Sequence, residues 1–118
     1  MELIFKICGR EEWRAADEAG VYRGSAVDLS DGFIHFSTAA QTAETAAKHF
    51  AGRDDLLLIA VDSTELGTAL RFEPSRGGAL FPHLYGALPL AAVRRVSPLV
   101  LGRDGRHVFP PDLASGRD

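Results

Sequence analysis

Two short segments hold most of the side chains that can do chemistry: GFIHFST, residues 32–38, and FPHLYG, residues 81–86. Imidazole donates, accepts or exchanges a proton near neutral pH, and tyrosine adds a stacking ring with a hydroxyl. Together these groups suit a sugar or a nucleobase. If FIHFST is extended, Phe33, His35 and Ser37 share one face and Ile34 and Phe36 the other. The same alternation puts Phe81, His83 and Tyr85 together, and Pro82 argues against a central, fully hydrogen-bonded strand there. Ser37 and Thr38 lie just before an expected helix start, where unpaired N–H groups and the positive dipole end receive a phosphate or carboxylate. Thr38 and Gln41 also match a capping box, which satisfies those amides without any ligand.

Arg71 and Glu73 alternate about Phe72. Both therefore face one way, with Phe72 expected to anchor the strand in the core. They form either an ordinary surface ion pair or a working pair in which Glu73 is a base or orients an imidazole. His35, His83 and Glu73 also contain the donor types of a two-histidine, one-carboxylate transition-metal centre. An organic ligand is the preferred reading, and no metal is expected. His49, late in a helix, complements a C-terminal dipole, and His107 lies near the polar tail, so neither is given a role. Ser37 has no GxSxG elbow and Cys8 no evident partner. GxGxxG and P-loop patterns are missing too.

These segments need elements to hold them. Leu3 to Ile7 alternates as an N-terminal strand, and residues 10–19 read as a short amphipathic helix stopped by Gly20. Val21 to Leu29 has no clear period and reads as loop or irregular strand before the Asp31-Gly32 turn. Residues 39–50 form a helix with a stripe of Ala39, Ala43, Ala46, Ala47 and Phe50. LLLIAVD, residues 56–62, is continuously apolar and should be a central strand. Ala69 to Glu73 is a further strand, Arg76-Gly77-Gly78 a loop, and Val93 to Leu101 a late strand whose Pro98 belongs at an edge or bulge.

With 118 residues the chain fits one domain, 1–109, followed by a frayed tail, 110–118. Helices come early and strands late, so the expected class is α+β with a mixed or antiparallel sheet. Apolar residues at 46% and charged residues at 25% match an ordinary globular chain, and a net charge of -3 disfavours general nucleic-acid binding. A single cysteine excludes an internal disulfide and a thiolate zinc cluster, which suits the reducing cytoplasm. The N-terminus resembles neither a signal peptide nor a membrane span.

The run YRGSAVDLSDGFIHFSTAAQ, followed by RFEP and then FPHLYG, resembles a bacterial family, domain of unknown function 952, over about residues 2–100. That family is similar in turn to the ADP-ribosyltransferase and RNA 2′-phosphotransferase fold, in which a split pair of small sheets grips NAD. The resemblance implies an NAD-like nucleotide or sugar phosphate as ligand, and ADP-ribosyl or glycosyl transfer or hydrolysis as the activity. It also implies roles. A strand histidine holds a ribose hydroxyl, a tyrosine stacks on nicotinamide, and a glutamate or arginines serve the transition state. Here His35 and His83, with Tyr22, Tyr85, Arg71 and Glu73, would supply such groups. Where the family pattern has a first-strand histidine this chain has Lys6, which when charged cannot accept a hydrogen bond but can contact phosphate. Two other classes stay open, a non-catalytic ligand- or partner-binding module and a metal-dependent enzyme built on His35, His83 and Glu73. Every version requires His35 and His83 to line one cleft.

Overall fold

The computed structural model describes residues 2–111 and 113. It shows a mixed α+β architecture of curled antiparallel sheets and three short helices. Strand β1, Leu3–Gly9, runs antiparallel to β4, Leu56–Asp62, and β4 in turn pairs with β8, Val93–Leu101. Every residue of β1 and β4 is buried, so the apolar run of β4 marks the middle of a sheet covered on both faces. Alternation splits β1 between two cores. Leu3, Phe5 and Ile7 pack in one with Leu56, Leu58, Ala60 and Leu99, while Ile4 and Cys8 pack in the other with Ile59, Val61 and Trp13.

Helix α1, Arg10–Ala19, ends at Gly20, whose φ of 82° supplies the left-handed cap and whose N–H donates to the Ala16 carbonyl. After β2, Val21–Tyr22, comes a helix where a loop was expected: α2, Ala26–Asp31, opened by a Ser25–Asp28 capping box. Six residues are too few to show a helical period, and the capping pattern S-x-x-D was the only local signal. Helix α3, Thr42–His49, follows a single 3₁₀ turn. Its inward residues are Thr42 and Ala46, whereas Ala43 and Ala47 of the expected stripe are exposed. The early turn is 3₁₀, so the buried face is rotated from the one that uniform α-helical spacing predicts.

A second sheet carries the two histidine segments. Its order is β3 (Ile34–His35), β6 (Leu80–Leu84), β5 (Leu70–Pro74). Pro82 therefore lies on the middle strand, contrary to expectation. Its carbonyl accepts from Phe36 N–H at 2.9 Å. A strand residue points its N–H and C=O at the same neighbour, so the missing N–H falls where the 33–37 segment leaves β6. That segment then reaches the first sheet, where Ser37 and Phe5 exchange backbone hydrogen bonds of 2.8 Å in both directions. Phe72 departs from its expected place in the core and is exposed, since β5 is an outer strand of this small sheet. Pro98 sits on β8 beyond the reach of β9, His107–Val108, which pairs only with Val100 and Leu101. A third, two-stranded pairing joins β2 to β7, Leu88–Pro89.

Most of the expected tail lies outside the described residues, but Leu113 is buried in the core that contains Phe5 and Leu99. Among the described residues no helix is long and apolar enough to cross a membrane. If β4 is the structural centre, Leu56→Ala should lower the unfolding free energy by about 2–5 kcal/mol. Val100→Ala, on the exposed end of β8, should change it by less than about 0.5 kcal/mol. Urea denaturation of both variants checks this, and equal losses would contradict the assignment.

Candidate functional site

Lys6 creates the central electrostatic problem. It projects from β1 on the side of Ile4 and Cys8, opposite Ile59, and is almost fully buried. An ammonium there needs a partner, and helix α2 supplies Asp28, itself 1% exposed. Lys6 Nζ donates to Asp28 Oδ2 at 2.7 Å and to the His35 carbonyl at 3.1 Å. The same carboxylate accepts from Ser25 N–H at 2.8 Å and from His35 N–H at 3.1 Å, and its Oδ1 lies 2.6 Å from His35 Nδ1. Burial by itself raises the Asp28 pKa. The hydrogen bond from His35 and the charge and hydrogen bond of Lys6 outweigh it, and hold the carboxyl well below the usual carboxylate range. An ionised Asp28 makes His35 Nδ1 a donor, which fixes the plane of the ring.

His35 Nε2 lies 2.9 Å from Asp31 Oδ2, so the imidazole stands between two carboxylates. For both contacts to be hydrogen bonds, the ring must carry both protons or Asp31 must carry one. Across the sheet, His35 pairs directly with His83. Since Phe36 and Pro82 form the hydrogen-bonded pair next along, the two histidines occupy the intervening position, where side chains approach closest. Their ring centroids are 5.5 Å apart in an edge-on arrangement. Phe33 completes the cluster. It stacks on His83 at 4.1 Å and also meets His35 at 4.6 Å and Tyr85 at 5.2 Å.

Behind His83, Glu73 Oε1 receives two contacts, from His83 Nδ1 at 2.8 Å and from the Tyr85 hydroxyl at 2.8 Å. These hydrogen bonds hold the Glu73 carboxyl below its usual range and push the Tyr85 hydroxyl up. Arg71 lies over the Tyr85 ring at 4.8 Å. His35, His83, Tyr85, Arg71 and Glu73 thus fall on one face of the second sheet.

A cleft of about 650 Å³ opens beside this face, lined by His35 and His83 together with Lys6, Glu12, Asp31 and Ser37. His49 and Arg53 also line it. Other proposed groups lie elsewhere. Tyr22 is a core residue, packed on Trp13 with its hydroxyl donating to Glu12, and burial and that bond push its pKa far up. Thr38 forms its capping box with Gln41, whose amide donates on to the Leu80 carbonyl. Ser37 does line the cleft, with its hydroxyl 2.9 Å from that of Thr45. Burial pushes the Cys8 thiol up to about 12, which removes it as a nucleophile. Among the described residues no three His, Cys, Asp or Glu side chains are placed to share a metal ion. In particular, Glu73 meets His83 as a hydrogen-bond partner rather than facing His35 across an open centre.

Comparison with known proteins adds a decisive match. Residues 7–96 fit the family described as "Protein of unknown function (DUF952)". The chain belongs to this family. Solved structures close in sequence and shape were also found. The crystal structure of protein CC0527 from Caulobacter crescentus is 51% identical, covering 95% of this chain and 98% of its own, with a TM-score of 0.90. A doubly substituted variant of it is 49% identical over the same shares, with a TM-score of 0.90. The solution NMR structure of CC0527 is 53% identical over 90% of this chain and 91% of its own, with a TM-score of 0.81. No curated protein matches the chain.

The residues that spacing alone did not single out are Asp28, Asp31 and Glu12, and Phe33 was placed beside His35 without a role. Asp28 was legible only as the fourth position of a capping box, and nothing local announces that its second oxygen serves His35. Asp28→Asn should cost about 3–5 kcal/mol, because it leaves the Lys6 ammonium buried without a counter-charge. The pH dependence has a definite sign. A carboxyl whose folded pKa lies below its unfolded value of 3.8 stabilises the fold fully above that value and loses the contribution as pH falls toward the folded pKa. Wild type should therefore lose unfolding free energy between about pH 5 and pH 2 more steeply than Asp28→Asn. Parallel acid-denaturation slopes for the two proteins would refute this role.

Proposed function

We propose that this DUF952 domain binds an NAD-like nucleotide or a related sugar phosphate in the cleft beside the histidine pair, and that the site serves ADP-ribosyl or glycosyl transfer. The observation that carries the reading is the His35–His83 cross-strand pair on the wall of one cleft, with His35 oriented by a buried, ionised Asp28. A cleft of about 650 Å³ is the size that encloses a ligand of this class. An imidazole held at Nδ1 by Asp28 and at Nε2 by Asp31 forms a carboxylate–imidazole edge, and a ribose hydroxyl that displaces or shares the Asp31 contact would bind there, two such hydroxyls lying side by side on the sugar.

In this reading Asp31 and His35 engage the ribose, while Lys6, its ammonium tied to Asp28 and the His35 carbonyl, keeps Asp28 charged. Glu73 sets the orientation of His83, and Asp31, which lines the cleft, is the carboxylate that would serve a glycosidic carbon bound there. When nicotinamide leaves with the bonding electron pair, positive charge passes to the ribose ring, and a nearby carboxylate opposes that charge until an acceptor hydroxyl bonds through its oxygen and releases its proton to that carboxylate or to water. What supports reading the fold as ADP-ribosyltransferase-like is two small antiparallel sheets beside one cleft and a strand histidine on its wall.

The test is NAD titration followed by NMR at the His35 and His83 rings and by thermal shift. Expected are saturable shifts at both rings, and at least about a tenfold weaker Kd for His35→Ala. No shift at saturating NAD would end the nucleotide reading. Binding without any release of nicotinamide would leave a ligand-binding module and remove the transferase.

A further inference from the structure

Strand β5 has one unpaired side. In the order β3-β6-β5 it is the last strand, and among the described residues nothing pairs with its outer edge. Tyr85 N–H donates to the Ala69 carbonyl at 2.8 Å. Alternation from that pair assigns the backbone groups of Arg71 and Glu73 to β6, and turns those of Leu70, Phe72 and Pro74 outward. The side chains add a second asymmetry. On the face away from the histidines, Phe72 and Leu80 are exposed, at 44% and 54%, with Pro74 between them in register, so an apolar patch borders the open edge. An exposed edge next to apolar side chains is a pairing surface that proteins usually blunt with charge, a bulge or proline, and on this face the described device is Pro74, at the far end of the strand, which leaves Leu70 to Phe72 open.

We infer that β5 pairs antiparallel with β5 of a second copy of this chain, about a twofold axis through Phe72. The register follows from self-complementarity. Centred there, Phe72 exchanges both backbone hydrogen bonds with its own copy, and each Leu70 N–H donates to the copy's Pro74 carbonyl. Pro74 has no N–H to give, so the pairing ends there and cannot slide into a longer ladder. On the histidine face, Arg71 falls opposite Glu73 of the copy and Glu73 opposite its Arg71, an attractive arrangement on both sides of the axis. A parallel, in-register pairing would set Arg71 beside Arg71 and Glu73 beside Glu73. Both charges already lean onto β6, Arg71 over Tyr85 and Glu73 against His83, so they select register while Phe72, Pro74 and Leu80 supply the apolar burial.

A twofold axis perpendicular to the sheet keeps both histidine faces on the same side. The dimer then carries two clefts opening in one direction, and the copy's Arg71 stands next to the Glu73 that holds His83. A contact built on one five-residue edge strand is small, which places the assembly among concentration-dependent dimers rather than permanent ones.

The experiment is sedimentation equilibrium of the full chain from low to high micromolar concentration, with amide hydrogen exchange alongside. Expected is a species of twice 12.7 kDa that grows with concentration, and with it new protection of the Leu70 and Phe72 amides. Phe72→Lys should weaken association by at least about tenfold while circular dichroism and Tm stay near wild type. Arg71→Glu should weaken it by placing Glu opposite Glu, and the double exchange Arg71→Glu with Glu73→Arg should restore it. A monomer at every concentration overturns the proposal, as does a dimer in which the Phe72 amide stays unprotected or the charge exchange fails to rescue. NAD binding is not read here, so failure of this interface and failure of the nucleotide reading are separate results.

Discussion

A lysine on the apolar side of a fully buried strand has to be neutralised, and the way this chain does so determines the geometry of everything around the cleft. Asp28 can reach Lys6 only if the chain after β2 turns into a helix, which is why six residues with little helical character of their own form α2. The carboxylate then has lone pairs left over, and they are used by Ser25 N–H, by His35 N–H and by the His35 ring. One ionised group thereby caps a helix, compensates a buried charge and orients an imidazole. These roles cannot be separated, since any change that moves Asp28 away from Lys6 also releases His35.

The second constraint is the short segment from Phe33 to Ser37, which belongs to two sheets in succession. Ile34 and His35 pair with β6, and two residues later Ser37 pairs with Phe5 on β1. The chain can make that transfer because Pro82 offers no N–H at the place where pairing ends. The transfer brings the imidazole of His35 over Asp28 and leaves open the cleft between β1, α3 and the second sheet. The helix after Ser37 is anchored by the Thr38–Gln41 capping box, so the hydroxyls that resembled a phosphate cradle spend their hydrogen bonds on the fold.

Periodicity made a large part of this legible. Strict alternation put His83 with Tyr85 and Arg71 with Glu73 on common faces of their strands and gave the phase of His35, and the pairing of β3 and β5 with β6 then joined these faces into one. The continuous apolar run of β4 marked the centre. The failures have equally specific causes. Helix α2 is shorter than the two turns over which a period can be seen, and its existence depends on a contact with residue 6. The capping box of Thr38 looked the same whether or not an anion was bound. Phe72 was assigned to the core because an aromatic residue between two charges usually turns inward, but nothing in a strand's own sequence reports that it will be the outermost. Tyr22 looked available for stacking, and it is instead held in the core by Trp13 and Glu12, partners on a helix packed against it.

The Lys6–Asp28 pair also restricts how this family can drift in sequence. A neutral residue at position 6 leaves a buried carboxylate with fewer donors, and a neutral residue at 28 leaves a buried cation, so each single step passes through a less stable chain. The two positions are therefore free to vary only together, or by way of a replacement at 6 that still presents a hydrogen-bond donor to the same oxygen. Residues 6 and 28 are far apart along the chain and belong to different elements, yet they should behave as one inherited unit, with the tolerance of His35 to change set by whichever pair a lineage carries.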